Sequence, residues 1–267
     1  MRIPTTAQSM NDSLTAYLRR LPAGVRVNLA VQSLADSSES FVQGATDQVP
    51  SASVIKLPIM IEAMEQVKAG RLDLDEIHIL TDGEKVGGDG VLKTYSHRSR
   101  VAYRDLLRLM MIYSDNTATN IFINELGMDA INRRIQALGL SGSQLNRVMM
   151  DTLAVRQGRE NYVTARDMNR LLGKLYRNEV ATPELCAHMI AILKQNEDMA
   201  TIPKRLPAGT VVAHKTGTLA YIRGDAAIVY AREPFLLSIF VAGVPTPQAE
   251  QLIADISLIC YTHFARP

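Results

Sequence analysis

The sequence predicts a mixed α/β protein of the α+β type. An antiparallel sheet is built from both ends of the chain, flanked by terminal helices, with a helical lobe inserted between its two halves. Strand patterns lie near the two ends of the sequence, and helical periodicity dominates the middle. The 267 residues suffice for one large domain or two lobes. We therefore expect a single domain, with an α/β lobe over 1–48 and 205–267 and a helical lobe over 49–204.

The first elements are predicted to be a helix, a hairpin and a longer helix. The segment LTAYLRRL is amphipathic, and VRVNLAVQSL alternates as a strand does, with ESFVQGATD as its hairpin partner. A long apolar run predicts a helix over 52–69 that ends at Gly70. Residues 71–100 carry several glycines without a clear period, so we expect irregular structure there.

The middle and the end of the chain differ in pattern. Five helices are predicted in the middle: YRDLLRLMMIY, NTATNIFINEL, DAINRRIQALGL, ARDMNRLLGKLYRNE and TPELCAHMIAILKQNE. Thr182 suits the N-cap of the last, with Pro183 at its first position, and residues 141–163 read as a long loop. Three strands follow as a meander, GTVVAHKTG, RGDAAIVYA and FLLSIFVAGV, and PQAEQLIADISLICYTHF closes the chain as a helix.

Composition excludes several classes of partner. The net charge is +2, and no basic run interleaved with aromatic residues predicts nucleic-acid binding. The five histidines lack ligand spacing, so we expect neither metal nor cofactor, and Cys186 and Cys260 are predicted to be buried free thiols. No segment predicts a membrane span, and we expect a monomer. The first residues lack the apolar stretch of a secretory signal, which predicts a cytoplasmic protein, or a periplasmic or secreted one if a signal has been removed.

Lys56 stands within the apolar segment SVIKLPIMI. Ser53 precedes it by three residues, so on a helix the two side chains share one face. Burial disfavours the charged form of a lysine, and a neutral amine can deprotonate a neighbouring hydroxyl that acts as a nucleophile. The alternative is a lysine whose ammonium group reaches solvent from the start of the helix.

Two other polar patterns interrupt apolar stretches. Residues 114–116, SDN, separate two helical runs and by themselves would suit helix capping. Residues 215–217, KTG, lie in a strand pattern, where Gly217 allows another backbone or a ligand to come close. By itself KTG also fits an ordinary lysine on an edge strand.

Taken in order, S-x-x-K, S-D-N and K-T-G resemble the signature of class A serine β-lactamases and the related penicillin-recognising peptidases. The resemblance covers essentially the whole chain, and the order of strands, helical lobe and strands is similar to the two-lobed fold of that family. It implies a serine hydrolase that opens a β-lactam amide through an acyl-enzyme, on a small β-lactam or acyl-D-alanyl-type substrate.

The resemblance also implies roles for individual residues. Ser53 would be the acylated nucleophile, and Lys56 its base or part of the proton relay. Ser114 would pass a proton to the leaving nitrogen, while Asp115 would tie its loop to backbone N–H groups. Asn116 would donate a hydrogen bond to, or accept one from, the side-chain amide of the substrate.

Further residues are implied to bind substrate. Lys215 and Thr216 would contact its carboxylate, and the backbone N–H groups of Ser53 and Thr218 would form the oxyanion hole. Arg223 resembles the carboxylate-steering arginine of the family; the alternative is a solvated charge on an edge strand. His214 neighbours Lys215, but adjacent strand residues face opposite ways, so we interpret it as a packing residue.

The loop after S-D-N departs from the family pattern. Class A enzymes carry an E-P-x-L-N motif whose glutamate holds the hydrolytic water, whereas this shorter loop reads NRVMMDTLAVRQGRENYVTARDM. Asp151 is a candidate replacement base or, alternatively, a loop aspartate that caps a turn, and Glu160 is predicted to be structural. The segment GEKVGGDG is predicted to be a flexible loop near the site entrance.

This departure leaves three functions open. The first is a β-lactamase with slow turnover. The second is a D-alanyl peptidase, amidase or esterase of the same fold. The third is a sensor that stays acylated by β-lactams.

Overall fold

The computed structural model describes residues 9–36 and 38–266. The α-helices of these residues are α1 Met10–Leu18, α2 Lys56–Lys68, α3 Tyr103–Ile112, α4 Asn116–Leu126, α5 Met128–Ala137, α6 Thr152–Arg156, α7 Ala165–Tyr176, α8 Pro183–Leu193 and α9 Thr246–Phe264. The strands are β1 Arg26–Ser33, β2 Ser40–Gln43, β3 Val49–Pro50, β4 Ile77–Ile79, β5 Arg100–Ala102, β6 Tyr162–Val163, β7 Val211–Leu219, β8 Ile222–Tyr230 and β9 Phe235–Ala242. The predicted lobe boundary of 1–48 includes residues 1–8, which lie outside this description.

Five strands form one antiparallel sheet in the order β2-β1-β9-β8-β7. Its register places Val27 opposite Val241 and Lys215 opposite Ala226. The strands β1 and β9, far apart in sequence, are neighbours, so the sheet joins the two ends of the chain. This confirms the predicted fold class.

Both faces of the sheet are buried, and each face belongs to a different apolar cluster. Along β9, Leu237 and Ile239 pack with the terminal helices α1 and α9. Leu236 and Phe240, on the opposite face, belong to the cluster that also fills the helical lobe. This two-sided burial explains why the β9 sequence is a continuous apolar run rather than an alternating one.

The helical lobe is arranged around α2, whose first nine residues are all buried. The helices α3, α4 and α5 pack against it. A helix that is surrounded in this way is apolar on every side, which is the pattern that SVIKLPIMI shows. The ionisable side chains that this part of α2 buries are Lys56 and Glu62.

Three predicted segments differ from the structure. The helix expected over 52–69 begins as a 3₁₀ helix, Ala52–Ile55, before α2 starts at Lys56. Residues 71–100, expected to be irregular, contain β4, which pairs with β5. The expected loop 141–163 contains α6 and all of β6, which pairs with β3. These strands are two or three residues long, too short to show the period-two pattern.

The N-caps and thiols agree with the sequence. Thr182 Oγ1 accepts a hydrogen bond from the Leu185 N–H, with Pro183 at the first position of α8. Cys186 and Cys260 are free and buried. Among the residues described, no helix has both the length and the apolar character needed to cross a membrane.

Candidate active site

The 3₁₀ helix and the first residue of α2 hold Ser53 and Lys56 together. The Lys56 Nζ lies 3.0 Å from the Ser53 Oγ, and the Lys56 side chain is completely buried. The alternative in which this lysine reaches solvent is therefore wrong. The spacing of S-x-x-K places the hydroxyl and the amine in hydrogen-bonding contact.

Lys56 Nζ also contacts the S-D-N segment. It lies 2.6 Å from the backbone oxygen of Ser114, 3.0 Å from Ser114 Oγ and 3.0 Å from Asn116 Oδ1. Burial, and secondarily the charge of Lys215, hold the pKa of Lys56 well below its usual value, although Asp89 and Asp115 act in the opposite direction. The site therefore favours the neutral amine, which can accept a proton.

Ser114 is held in a strained backbone conformation between two lysines. Its φ is 54°, in the left-handed region that serine rarely adopts. Its Oγ lies 3.0 Å from Lys56 Nζ and 3.2 Å from Lys215 Nζ. This hydroxyl can therefore relay a proton between the buried amine and a bound group.

Asp115 fixes this conformation, as the sequence predicts. It is the N-cap of α4, where its Oδ1 accepts a hydrogen bond from the Ala118 N–H at 2.9 Å. Its Oδ2 accepts hydrogen bonds from the backbone N–H groups of Val91 at 2.6 Å and Leu92 at 2.8 Å. The Asp115 carboxylate thus connects α4 to the two residues that directly follow the segment GEKVGGDG.

Lys215 lies on β7 with its side chain buried beside Ser114. Its Nζ donates to the Thr216 backbone oxygen at 2.9 Å. Burial lowers the pKa of Lys215 to about 8, although Asp225 and Asp198 counteract part of that effect. The ordinary edge-strand lysine considered from the sequence would be exposed, so that alternative is wrong.

His214 faces away from Lys215 and does more than fill space. Its Nδ1 lies 3.1 Å from the carboxylate of Asp225, and both side chains are buried. Asp225 also accepts a hydrogen bond from Thr201 Oγ1 at 2.7 Å. This pair anchors β7 to β8 beneath the site.

Gly217 brings β7 against the nucleophile. A Cβ atom at this position would lie 2.9 Å from the Ala52 Cβ, and 3.1 Å from both the Ser51 oxygen and the Ser53 nitrogen. Only glycine allows the strand to lie so close to the 3₁₀ helix. The backbone of β7 is therefore adjacent to Ser53, as an oxyanion hole shared between Ser53 and Thr218 requires.

Arg223 is buried, so the alternative of a solvated edge-strand charge is wrong. It lies on β8, the second strand from the edge. Its Nη2 lies 2.6 Å from Asp198 Oδ2 and its Nε 3.1 Å from Glu250 Oε1, while its Nη1 donates to Thr218 Oγ1 at 2.6 Å. Burial acts to raise the pKa of Asp198, but the hydrogen bond and charge of Arg223 lower it overall.

Sequence reasoning missed both carboxylates that hold Arg223. Asp198 follows α8 in a polar segment, and Glu250 lies within α9. Neither position carries a motif, and only the fold brings them to β8. A buried arginine needs such partners, so a prediction of burial at Arg223 would have been the available signal.

The altered loop carries Asp151 at the start of α6. Its Oδ1 accepts a hydrogen bond from the Ala154 N–H at 2.8 Å, so it is the N-cap of this short helix. The neighbouring Met150 has a φ of 64°. Asp151 nevertheless lines the same cavity as Ser53, so the capping contact does not remove it from the site.

Glu160 lies deeper in the same loop. It is buried and pairs with Arg147 Nη2 at 2.6 Å. It also accepts a hydrogen bond from the Asn161 N–H at 2.7 Å. These contacts give Glu160 a structural part in the loop, as predicted.

Two adjoining cavities, of about 430 and 370 Å³, open on Ser53. Asn116 and Asp151 line the larger, whereas Ser114, Lys215 and Thr216 line the smaller. Asp89, from the segment GEKVGGDG, lines both. The structure thus places this segment at the mouth of the site. Within residues 9–36 and 38–266, no group of three or more His, Cys, Asp or Glu side chains forms a metal site.

The fold and this arrangement of two serines and two lysines define a penicillin-recognising serine hydrolase, and the comparisons agree. The family model of the Beta-lactamase enzyme family matches residues 8–264, so the chain belongs to that family. This membership confirms the resemblance stated from the motifs and the serine β-lactamase-type function that they predict.

Individual relatives are similar at moderate identity. The extended-spectrum β-lactamase PER-1 of Pseudomonas aeruginosa is 26% identical, over 85% of this chain and 79% of its own. The β-lactamase of Sphaerobacter thermophilus is 27% identical, with a TM-score of 0.89 over 95% of this chain and 97% of its own. A PBP-A mutant, solved as an acyl-enzyme complex with penicillin G, is 27% identical, with a TM-score of 0.87 over 96% of each chain.

Proposed function

We propose that the protein is a class A-like serine β-lactamase that opens the β-lactam amide through an acyl-enzyme on Ser53. One observation carries this proposal. The buried Lys56 amine lies 3.0 Å from the hydroxyl oxygens of both Ser53 and Ser114, and its surroundings favour the neutral form. The Lys56 amine can therefore deprotonate Ser53, the nucleophile, and later return a proton to Ser114, the proton donor.

Acylation follows from these contacts. The neutral Lys56 amine takes the proton of Ser53 Oγ as this oxygen attacks the β-lactam carbonyl carbon. The carbonyl oxygen becomes an oxyanion, which the backbone N–H groups of Ser53 and Thr218 stabilise. Ser114 then gives its proton to the leaving nitrogen as the amide C–N bond breaks, and the Lys56 ammonium returns a proton to Ser114 Oγ.

Binding of the substrate carboxylate is assigned to Lys215, with support from Thr216. Both line the smaller cavity, and among the described residues Lys215 Nζ donates only to uncharged oxygens. The charge of Arg223 is already balanced by Asp198 and Glu250. Arg223 is therefore proposed to hold Thr218 and Asp198 in position, and Lys215 to bind the carboxylate directly.

Asn116 is proposed to position Lys56 as well as to contact substrate. Its Oδ1 lies 3.0 Å from Lys56 Nζ, and its Nδ2 donates to the Gly87 backbone oxygen at 3.2 Å. The second of these bonds joins Asn116 to the segment GEKVGGDG at the mouth of the site, which the Asn116 backbone N–H also contacts through the Asp89 oxygen at 3.2 Å. When substrate binds, a carbonyl oxygen of its side chain would replace the Gly87 oxygen, and Asn116 Nδ2 would still donate one hydrogen bond.

Deacylation is proposed to be the slow step, with Asp151 as the base that holds the water. Asp151 lines the cavity on which Ser53 opens, but one of its oxygens is engaged with the Ala154 N–H. A carboxylate that serves as a helix cap aligns water less well than a dedicated one. Misplacement by about 1 Å can cost on the order of 100-fold in rate.

Intact-protein mass spectrometry with benzylpenicillin tests the proposal. The natural protein should gain the mass of the antibiotic and then lose it slowly, while Ser53→Ala should gain none. Ser51→Ala is the matched control, because the Ser51 hydroxyl donates to the Ala52 oxygen and not to Lys56. Its adduct should form normally, and circular dichroism should show both variants folded.

The same measurement separates the other candidate functions. An adduct on Ser53→Ala would refute the assignment of the nucleophile. An adduct that never decays would identify a sensor. Absence of any adduct, together with cleavage of an acyl-D-alanyl-D-alanine peptide, would identify a peptidase.

A further inference from the structure

A separate cavity, of about 410 Å³, lies at the edge of the sheet opposite β7. It forms where α7 crosses the strands β1 and β2. None of its residues lines the two cavities at Ser53. Its wall consists of residues of β1 and β2 and of residues on one face of α7 and its C-cap: Ala30, Val31, Gln32, Ser40, Val42, Arg166, Asn169, Arg170, Gly173 and Arg177.

The charge of this cavity is entirely positive. Arg166, Arg170 and Arg177 contribute guanidinium groups, and none of the lining residues is acidic. Arg177 is paired with Glu179 at 2.6 Å, and Arg170 donates to the Gly139 backbone oxygen at 2.6 Å. The Arg166 side chain makes no hydrogen bond or ion pair within the described part of the chain. At least one guanidinium is therefore available to an anion.

Asn169 supplies an independent observation. It lines the cavity with only 4% of its surface exposed. Its Oδ1 accepts a hydrogen bond from Ser238 Oγ at 2.7 Å, whereas its Nδ2 donates to no atom of residues 9–36 or 38–266. This N–H group is not enclosed by protein atoms, so it is open to an acceptor in the cavity.

The strands β1 and β2 supply an apolar surface on the opposite wall, beside the polar Gln32 and Ser40. Val42 on β2 is 52% exposed, and Ala30 lies beside it on β1. The register pairs these two residues directly, so they form one continuous surface facing α7. A ligand in this cavity thus meets hydrogen-bond donors on one side and hydrocarbon on the other.

We propose that this cavity binds a small organic anion. Its phosphate or carboxylate head is bound by Arg166, Arg170 and the Asn169 Nδ2, and its apolar body packs against Val42 and Ala30. The cavity volume suits a molecule of about ten non-hydrogen atoms with some water. The site is separate from β-lactam chemistry and does not depend on the proposed function.

Titration calorimetry with phenyl phosphate and benzoate tests this site. Both probes carry an apolar ring, and they differ in the head group. The natural protein should bind at least one of them at a single saturable site. The double variant Arg166→Gln/Arg170→Gln should bind it at least about tenfold more weakly, because two charge-assisted hydrogen bonds are removed.

The matched control is Arg133→Gln/Arg232→Gln. Arg133 and Arg232 are exposed and line none of the cavities described above. Their replacement by glutamine removes the same net charge as the double variant in the cavity. Binding by this control should stay within about twofold of the natural protein, since long-range attraction is screened by salt. The rate of Ser53 acylation should be unchanged in both double variants.

Asn169→Asp tests the amide directly. It keeps the acceptor for Ser238 and replaces the N–H donor by a carboxylate, so it should weaken binding by at least about tenfold. If this variant does not fold, the arginine pair still decides the question. The proposal is overturned if neither probe saturates the natural protein, or if the control variant loses as much affinity as the cavity variant.

Discussion

Lys56 Nζ has four hydrogen-bonding neighbours, one more than an ammonium group has protons. Two of them, the Ser114 backbone oxygen and Asn116 Oδ1, can only accept. A neutral amine satisfies both with its two N–H groups and keeps a lone pair for a hydroxyl. Ser53 and Ser114 are the hydroxyls within reach, so the contact geometry and the lowered pKa of Lys56 favour the same protonation state.

Replacement of this amine should slow acylation while leaving the fold intact. Lys56→Met keeps the buried stem and removes the base, so the rate of benzylpenicillin adduct formation should fall by about 10²–10⁴-fold. Rapid-quench mass spectrometry measures this rate. Lys68→Met, at the exposed end of the same helix, is the control and should acylate normally. An unchanged rate in Lys56→Met would show that another group activates Ser53.

The acylation rate should depend on pH at both ends of the range. On the acid side, kcat/KM should rise as Lys56 loses its proton, at a pH well below the usual range of lysine. On the basic side, the charged form of Lys215 binds the carboxylate, and its pKa is about 8. Thus kcat/KM should fall as pH increases through about 8, because deprotonation removes that charge.

Lys215→Arg provides the check on the basic limb. Arginine stays charged at every pH used, so the decline near pH 8 should disappear even if the overall rate is lower. A decline at the same pH in this variant would assign the basic limb to a different group.

At the scale of elements, the loop that contains α6 decides how long the acyl-enzyme lasts. Asp151→Asn keeps an oxygen to cap α6 but removes the carboxylate base. Acylation should proceed, and the acyl-enzyme should accumulate at the expense of turnover. Stopped-flow assays with a chromogenic cephalosporin would show the initial burst without the steady phase.

The control for this loop is Thr152→Val. Thr152 follows Asp151 and lines the same cavity but carries no ionisable group. Its deacylation rate should stay close to that of the natural protein. Equal deacylation in Asp151→Asn and the natural protein would make Asp151 a capping residue only, and would direct attention to Lys56 as the base.

The predictability of each element depended on its length and surroundings. The boundaries of α4, β8 and α9 follow the sequence closely, because each has a long periodic or apolar run. The 3₁₀ helix at Ser53 was not predicted, since it shares the apolar pattern of α2 and differs only in its hydrogen bonds. For Asp151 the sequence leaves two alternatives, a helix cap and a base. It does not show which carboxylate oxygen accepts the capping hydrogen bond and which stays free to bind water.

The whole molecule is organised by a sheet that is shared between two apolar clusters. Leu236 and Leu237 are neighbours on β9, yet they belong to different clusters. Neither cluster can lose its packing without exposing one face of the same strand. We therefore expect the protein to unfold in a single transition, although the chain builds two lobes.

A substitution far from the site tests this expectation. Leu14 on α1 is fully buried against the sheet and α9. Leu14→Ala should lower the free energy of unfolding by about 2–5 kcal/mol, because it leaves a cavity. Urea denaturation, followed by circular dichroism and by loss of benzylpenicillin labelling, should give one coincident midpoint.

Two outcomes bear on that prediction. Labelling of folded Leu14→Ala should proceed at the natural rate, since no residue of α1 lines either cavity at Ser53. Separate midpoints for circular dichroism and labelling would show instead that the two lobes unfold independently. A loss of stability below about 1 kcal/mol would show that α1 is loosely attached.

At the scale of the whole molecule, the most informative feature of the sequence is that strand patterns occur near both of its ends. Strand patterns near both termini predicted one sheet, and the pairing of β1 with β9 confirms it. The motifs predicted Ser53, Ser114 and Lys215; Lys56 connects Ser53 to Ser114, and Ser114 contacts Lys215. The partners of Arg223 come from a polar turn and a helix that carry no pattern, so three-dimensional packing was needed to find them.

Because the side chain of Gly217 is a single hydrogen atom, this position limits how the site can change under selection. Any other residue at position 217 would push β7 away from Ser53, so we expect selection by antibiotics to yield no tolerated substitution there. The next residue, Thr218, is exposed, and Met150, which lines the same cavity, is 46% exposed. A population exposed to new antibiotics should therefore accumulate substitutions at these two positions, while codon 217 remains invariant.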